Sequence, residues 1–316
     1  MSKLFYHRSY TLFDVLMRIG IDVGGTKIEA ILLDSTGEEL ARRRMDSPQG
    51  DYSATLLSIG ALVEELERDC ATAPTVGVGI PGTISSGTGL VKNANSTWLI
   101  GHPLQYDLEQ RLQRPVRVAN DADCFAVSEA TDGAARSARS VFGVILGTGV
   151  GGGLCWEGRP IFGPNAIAGE WGHNPLPWPE DDERPGPACY CGLRGCLETF
   201  LSGPGLQRDH FERTGEHCTP QEISERAVGE SPKCLETLKR YEHRLARGLA
   251  SVINIFDPEV IVLGGGLSKI ERLYHTVPTL WPSWVFSDHV ETQLVPPRFG
   301  DSSGVRGAAW LWPLSS

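Results

Sequence analysis

Residues 18–27 read RIGIDVGGTK, an apolar run that stops at two glycines and is followed by Thr26 and Lys27. A β-branched run cut off by Gly reads as a buried strand whose next loop brings backbone close to something. The pattern recurs in TVGVGIPG (75–82), SVFGVILGTGVGGG (140–153) and PEVIVLGGG (258–266). Between these runs lie helical patterns. In residues 53–71, Leu56, Ile59, Leu62, Val63 and Leu66 recur at helical spacing, residues 122–135 behave similarly, and 235–256 is the longest candidate. This mixture predicts an α/β protein with helices covering its sheets.

The 316 residues suggest about two domains of ordinary size. We place the cut near 119–123, giving an N-terminal domain over 17–120 and a C-terminal domain over 121–301. A closing helix at 302–314 is expected to return to the first. Hydrophobic residues are 41% and charged residues 22%, as in a globular chain. The net charge of -10, with Lys and Arg scattered, argues against a nucleic-acid surface, and no apolar run is long enough to span a bilayer. The first 16 residues lack the apolar core of a secretory signal and read as a disordered extension. The expected setting is therefore cytoplasmic and reducing, where clustered thiols are metal ligands more often than disulfides.

No Gly-Lys-Ser/Thr occurs, which excludes a Walker loop, and GTGVGG (147–152) matches a dinucleotide fingerprint only in letters. The residues after it read as a hairpin strand rather than a helix. Two glycine turns, Gly24-Gly25-Thr26-Lys27 behind Asp22 and Gly147-Thr148-Gly149, can grip the phosphates of a nucleotide from two sides. Gly264-Gly265-Gly266 can let an adenine ring lie against a helix start.

Asn120-Asp121 stands where PVRVA ends and a helix begins, so a carboxylate there projects from a sheet rim toward a cleft. Such an acid can take the proton of an acceptor hydroxyl during phosphoryl transfer, and the helix dipole is expected to hold its pKa low. Capping of the helix by Asp121 or Asp123 is the plainer alternative.

Residues 189–198, CYCGLRGCLE, carry three cysteines at C-x-C-x4-C. A Cys189–Cys191 disulfide would close a strained ring and leave Cys196 over, whereas three thiolates suit a tetrahedral Zn2+ needing one more ligand. His173 in GEWGH supplies it, and four protein ligands make the zinc structural. Cys70, Cys124, Cys155, Cys218 and Cys234 read as buried packing, and the acids in PLPWPEDDERPGPA (175–188) read as a solvated loop.

In that order, DVGGTK, GIPG, AND, LGTGVGGG, GEWGH, C-x-C-G-x-x-G-C-x-E and VIVLGGG resemble the ROK family of bacterial sugar kinases and repressors, over about residues 18–313. VKNANSTWL, GEWGHNPLPW and GDSSGVRGAAWLWP look like its fructokinase (manno(fructo)kinase) branch. The resemblance implies a two-domain actin-like, ribonuclease-H-like fold with the site in the cleft, ATP and Mg2+ as cofactors, and a homodimer. It further implies Asp121 as catalytic base and Asp22 near Mg2+ and the phosphates. Gly82, Asn95, Asn120, Asp121 itself, Glu170, His173 and Glu198 would lie on the sugar. The expected reaction is phosphorylation of a hexose, fructose first and mannose second. The alternative is a sugar-binding regulator without turnover, which would need a DNA-binding module ahead of the first phosphate strand, where about 17 residues stand. A zinc hydrolase is disfavoured because no zinc position is left open for water.

Overall fold

The computed structural model describes residues 17–229 and 231–312. The expected N-terminal extension, residues 313–314 of the closing helix, and Glu230 lie outside the described residues.

The strands are β1 (Arg18–Val23), β2 (Lys27–Leu33), β3 (Glu39–Asp46), β4 (Thr75–Ile80), β5 (Thr83–Ile84), β6 (Val91–Lys92), β7 (Val116–Asn120), β8 (Ser140–Leu146), β9 (Val150–Trp156), β10 (Arg159–Pro160), β11 (Val260–Gly264) and β12 (Gln293–Val295). The helices are α1 (Tyr52–Glu67), α2 (Leu104–Leu112), α3 (Asp121–Thr131), α4 (Leu197–Leu201), α5 (Gly203–Thr214), α6 (Pro220–Ala227), α7 (Pro232–Phe256), α8 (Arg272–Leu280) and α9 (Ser303–Trp310). Every glycine-stopped run is a strand, and the segment after Gly149 is the hairpin β9–β10 rather than a dinucleotide helix.

Two five-stranded sheets repeat one plan. The first runs β3-β2-β1-β4-β7 and the second β10-β9-β8-β11-β12. In each, three antiparallel strands are followed by two parallel ones. The turns β1–β2 and β8–β9, DVGGTK and LGTGVGG, therefore occupy matching places.

Ile19, Ile21, Val76, Val78, Ile59 and Val63 form the core between the first sheet and α1. Phe142, Val144, Leu245, Leu249 and Ile261 form the core under α7, and burying each such side chain stabilises by roughly 1.5–3 kcal/mol. Ser231 caps α7 by accepting from the Cys234 N–H (3.3 Å), with Pro232 in the first turn. The closing helix α9 is shorter than expected and packs on β1, β4 and α3. That approach requires glycine, because a Cβ on Gly20 or Gly77 would run into the α9 backbone at Val305 and Ala308.

The acidic proline-rich loop departs from expectation. Glu183 is 7% exposed, and its carboxylate accepts from Arg244 Nε (2.7 Å) and Arg247 Nη2 (2.8 Å) on α7. Asp209 on α5 accepts from Arg244 Nη1 (2.8 Å) and Arg240 Nη2 (2.7 Å), so the loop is tied down by a buried ionic cluster. Asp181 and Asp182 in the same run remain exposed.

Candidate functional site

Three parallel strands of the first sheet deliver their C-terminal ends to one edge. Asp22 on β1 lies in register with Gly79 on β4, and Ile80 with Asn120 on β7. Asp22, Pro81-Gly82 and Asn120-Asp121 thus share the rim where α/β proteins bind ligands. Asn120 caps α3, its Oδ1 accepting from the Ala122 N–H (2.8 Å) while its Nδ2 donates to Gly82 O (3.2 Å). The Asn95 N–H donates to Pro81 O (2.9 Å), so Asn95 is held beside the same turn. Asp121 opens the helix and takes the Ala122 N–H on Oδ1 (2.8 Å).

The expectation of a low pKa for Asp121 fails. Burial raises it to about 6, against the Ala122 N–H and with help from the Glu170 charge. Burial, then the charges of Asp121 and Glu29, raises Asp22 to about 6 against the pull of Lys27. Asp123 is pushed well above the usual carboxylate range by burial, then by Asp121 and Glu170, and its Oδ1 is buried without a partner. The helix terminus is outweighed because desolvation of a buried carboxylate exceeds the dipole's contribution. The cluster is a set of acids with too few cations, a donor set that fits a hard divalent ion such as Mg2+.

The phosphate-loop candidates lie in the two matching turns. Gly24 N–H donates to Lys27 O (2.9 Å) and Gly147 N–H to Gly149 O (3.0 Å). Thr26 and Thr148 are exposed at the tips, and Lys27 reaches Glu29 (3.5 Å). A side chain at Gly25, Gly147 or Gly266 would meet open space, so packing within the protein does not demand glycine there. Gly264 ends β11 next to β8, and Gly265 has φ +78°. Gly266 lines a cavity of about 370 Å3 with Leu267, Lys269, Ile270 and α6 residues Pro220 and Gln221.

His173, Cys189, Cys191 and Cys196 converge, their ligand atoms all within 4.8 Å of one another. His173 Nδ1 lies 3.5 Å from Cys189 Sγ, and Cys191 Sγ lies 3.6 Å from Cys196 Sγ. These donors fit a tetrahedral zinc ion. With Nδ1 turned to the thiols, His173 Nε2 lies 2.9 Å from Tyr190 Oη. Glu170 immediately precedes the 3-10 turn Trp171–His173, and Glu198 Oε2 accepts the Val150 N–H (3.0 Å) beside Gly149. The cysteine loop is thereby joined to the glycine turn between β8 and β9.

The sequence pattern of the ROK family matches residues 18–314. The chain belongs to the ROK family. The N-acetyl-D-glucosamine kinase of Pectobacterium atrosepticum is 40% identical over 299 residues, 93% of this chain and 98% of that one. The crystal structure of the Thermus thermophilus ROK hexokinase superposes with a TM-score of 0.82 at 29% identity, covering 93% of this chain and 97% of that one. A Streptomyces griseus ROK glucokinase, solved with glucose and AMPPNP, gives 0.73 at 27% identity, covering 93% and 98%. The actin-like two-domain ROK fold expected from the motifs is the one observed. The fructokinase branch is not the one to which the 40% relatives point.

Beyond the expected residues, this ROK chain places three more at the site. Tyr190 faces His173, and its place between two candidate zinc ligands, Cys189 and Cys191, could have flagged it. Gln49 donates to Gly25 O (2.9 Å) and the Ser47 N–H donates to Thr26 O (2.9 Å), neither with any sequence signal. Among the described residues no helix is long and apolar enough to cross a membrane.

Proposed function

We propose that this chain is an ATP- and Mg2+-dependent sugar kinase that phosphorylates a hydroxyl of N-acetyl-D-glucosamine, with Asp121 as base. The observation that carries the reading is the Asp121 carboxylate, half-buried at a helix start beside Asn120 with an acid rather than a cation as its charged neighbour. Phosphoryl transfer asks for positioning and charge stabilisation, and for a base that takes the hydroxyl proton as the bond forms. Asn120, fixed by two hydrogen bonds, aligns Asp121, and ionised Asp121 accepts the proton at a carboxylate oxygen. Bound Mg2+, held by Asp22, would offset charge on the transferring group.

The two glycine turns would hold the triphosphate, and the cavity beside Gly266 would take the adenine. Glu170, His173 and Glu198, with Gly82 and Asn95 on the facing edge, would hold sugar hydroxyls, and a site built to pair them rejects analogues lacking them. With Nδ1 given to zinc, His173 carries its proton on Nε2 and donates from there. N-acetyl-D-glucosamine replaces the expected fructose because relatives at 40% identity over nearly their whole length carry that activity in their names.

ADP release with Mg-ATP and N-acetyl-D-glucosamine, glucose, mannose, fructose or N-acetylmannosamine tests this. The expected result is the highest kcat/KM for N-acetyl-D-glucosamine. A higher value for fructose restores the fructokinase reading, and silence across the panel with sugar binding intact favours a regulator.

A further inference from the structure

Cys218 and Cys234, which read from the sequence as isolated packing residues, are not isolated. Their thiols and the imidazole of His210 bring three metal-ligating donors within 4.8 Å of one another. His210 projects from α5, Cys218 precedes α6, and Cys234 lies in the first turn of α7. All three are buried, at 0%, 7% and 0% exposure.

His210 Nδ1 lies 2.9 Å from Thr237 Oγ1, so that nitrogen is engaged. Its Nε2 is buried with no hydrogen-bond partner. A buried ring nitrogen left unpaired is costly, and a ligand at Nε2 would satisfy it. Arg226 Nη1 donates to Cys218 Sγ (3.0 Å), and Cys234 lies in the first turn of α7.

We propose that His210 Nε2, Cys218 and Cys234 bind a second zinc ion, separate from that of the His173 cluster, which clips α5, the segment before α6, and α7 together. Binding releases one proton from each thiol, and a water completes the tetrahedron around two sulfurs and one nitrogen.

The test is metal stoichiometry of the purified full chain after equilibration with zinc and removal of unbound metal. Two zinc ions per chain are expected, falling to one in Cys234→Ala and to one in Cys191→Ser, with helical circular dichroism retained. One zinc per chain in the unaltered protein, or two persisting in Cys234→Ala, overturns the proposal. Cobalt titration of the unaltered protein decides the matter even if a variant fails to fold. The two equivalents should both add thiolate-to-cobalt charge-transfer absorption, roughly in the ratio of three thiolates to two, and a second equivalent silent in that band refutes the site.

Discussion

Carboxylates are buried in two regions, and their surroundings are opposite. Around α7, burial pushes Glu183 and Asp209 up, but hydrogen bonds and charge from Arg244, with Arg247 for Glu183 and Arg240 for Asp209, outweigh it and hold both below the usual range. At the rim of the first sheet, Asp22 and Asp121 have only Lys27, Asn120 and backbone N–H groups against burial and the charge of neighbouring acids, and both sit at about 6. Matched charge within the chain makes a fastening. Unmatched charge is a cost to the folded state that a ligand can offset, and such sites are where function concentrates.

The sharpest test of that contrast is Asp121→Asn. If the unmatched acid is the base, kcat falls by roughly a thousandfold, within the usual range for general-base catalysis, while sugar affinity measured by titration stays near that of the unaltered protein. Retained turnover would make Asp121 another structural acid and dissolve the distinction. The converse is Glu183→Ala, which leaves Arg244 and Arg247 without their shared carboxylate. Breaking a buried pair by removing one partner costs about 3–5 kcal/mol, so the thermal midpoint should fall by several degrees while the kcat of the folded fraction is kept. An unchanged midpoint would show that the cluster fastens nothing.

The same contrast explains what the sequence can reveal. The strands, the matching glycine turns and the Cys189–Cys196 cluster are legible because their signals are local: β-branched runs, glycine stops and thiols within eight positions. Glu183 reads as wet because its partners stand 61 and 64 residues further along, on a helix whose arginines look from sequence like an ordinary polar face. His210, Cys218 and Cys234 escape for the same reason, since the fold and not the spacing brings them together. For Asp121 the position is legible and the pKa is not. A helix start can be read from letters, whereas desolvation depends on everything packed over it.

The smallest expected effect concerns pH, and its two halves run in opposite directions. A base with a pKa near 6 must be ionised to act, so kcat/KM should fall below about pH 6. Stability should move the other way. Because Asp22 and Asp121 rise from the ordinary aspartate value of 3.8 to about 6 on folding, the native state binds more protons than the unfolded chain between those values. Their contribution to stability is fully present below about 3.8 and is lost as pH rises through about 6. The slope is at most about 1.4 kcal/mol per pH unit for each group. Histidines titrate in the same range, so denaturant unfolding of the unaltered protein should be compared with Asp121→Asn between about pH 4 and 8, which subtracts them. The variant should gain relative stability as pH rises, and it should gain twice over. It loses its own buried charge, and it removes a charge that raises Asp22. A constant difference across that range would mean that the rim acids are solvated in the free protein, and the contrast with the α7 cluster would then be one of exposure rather than of pairing.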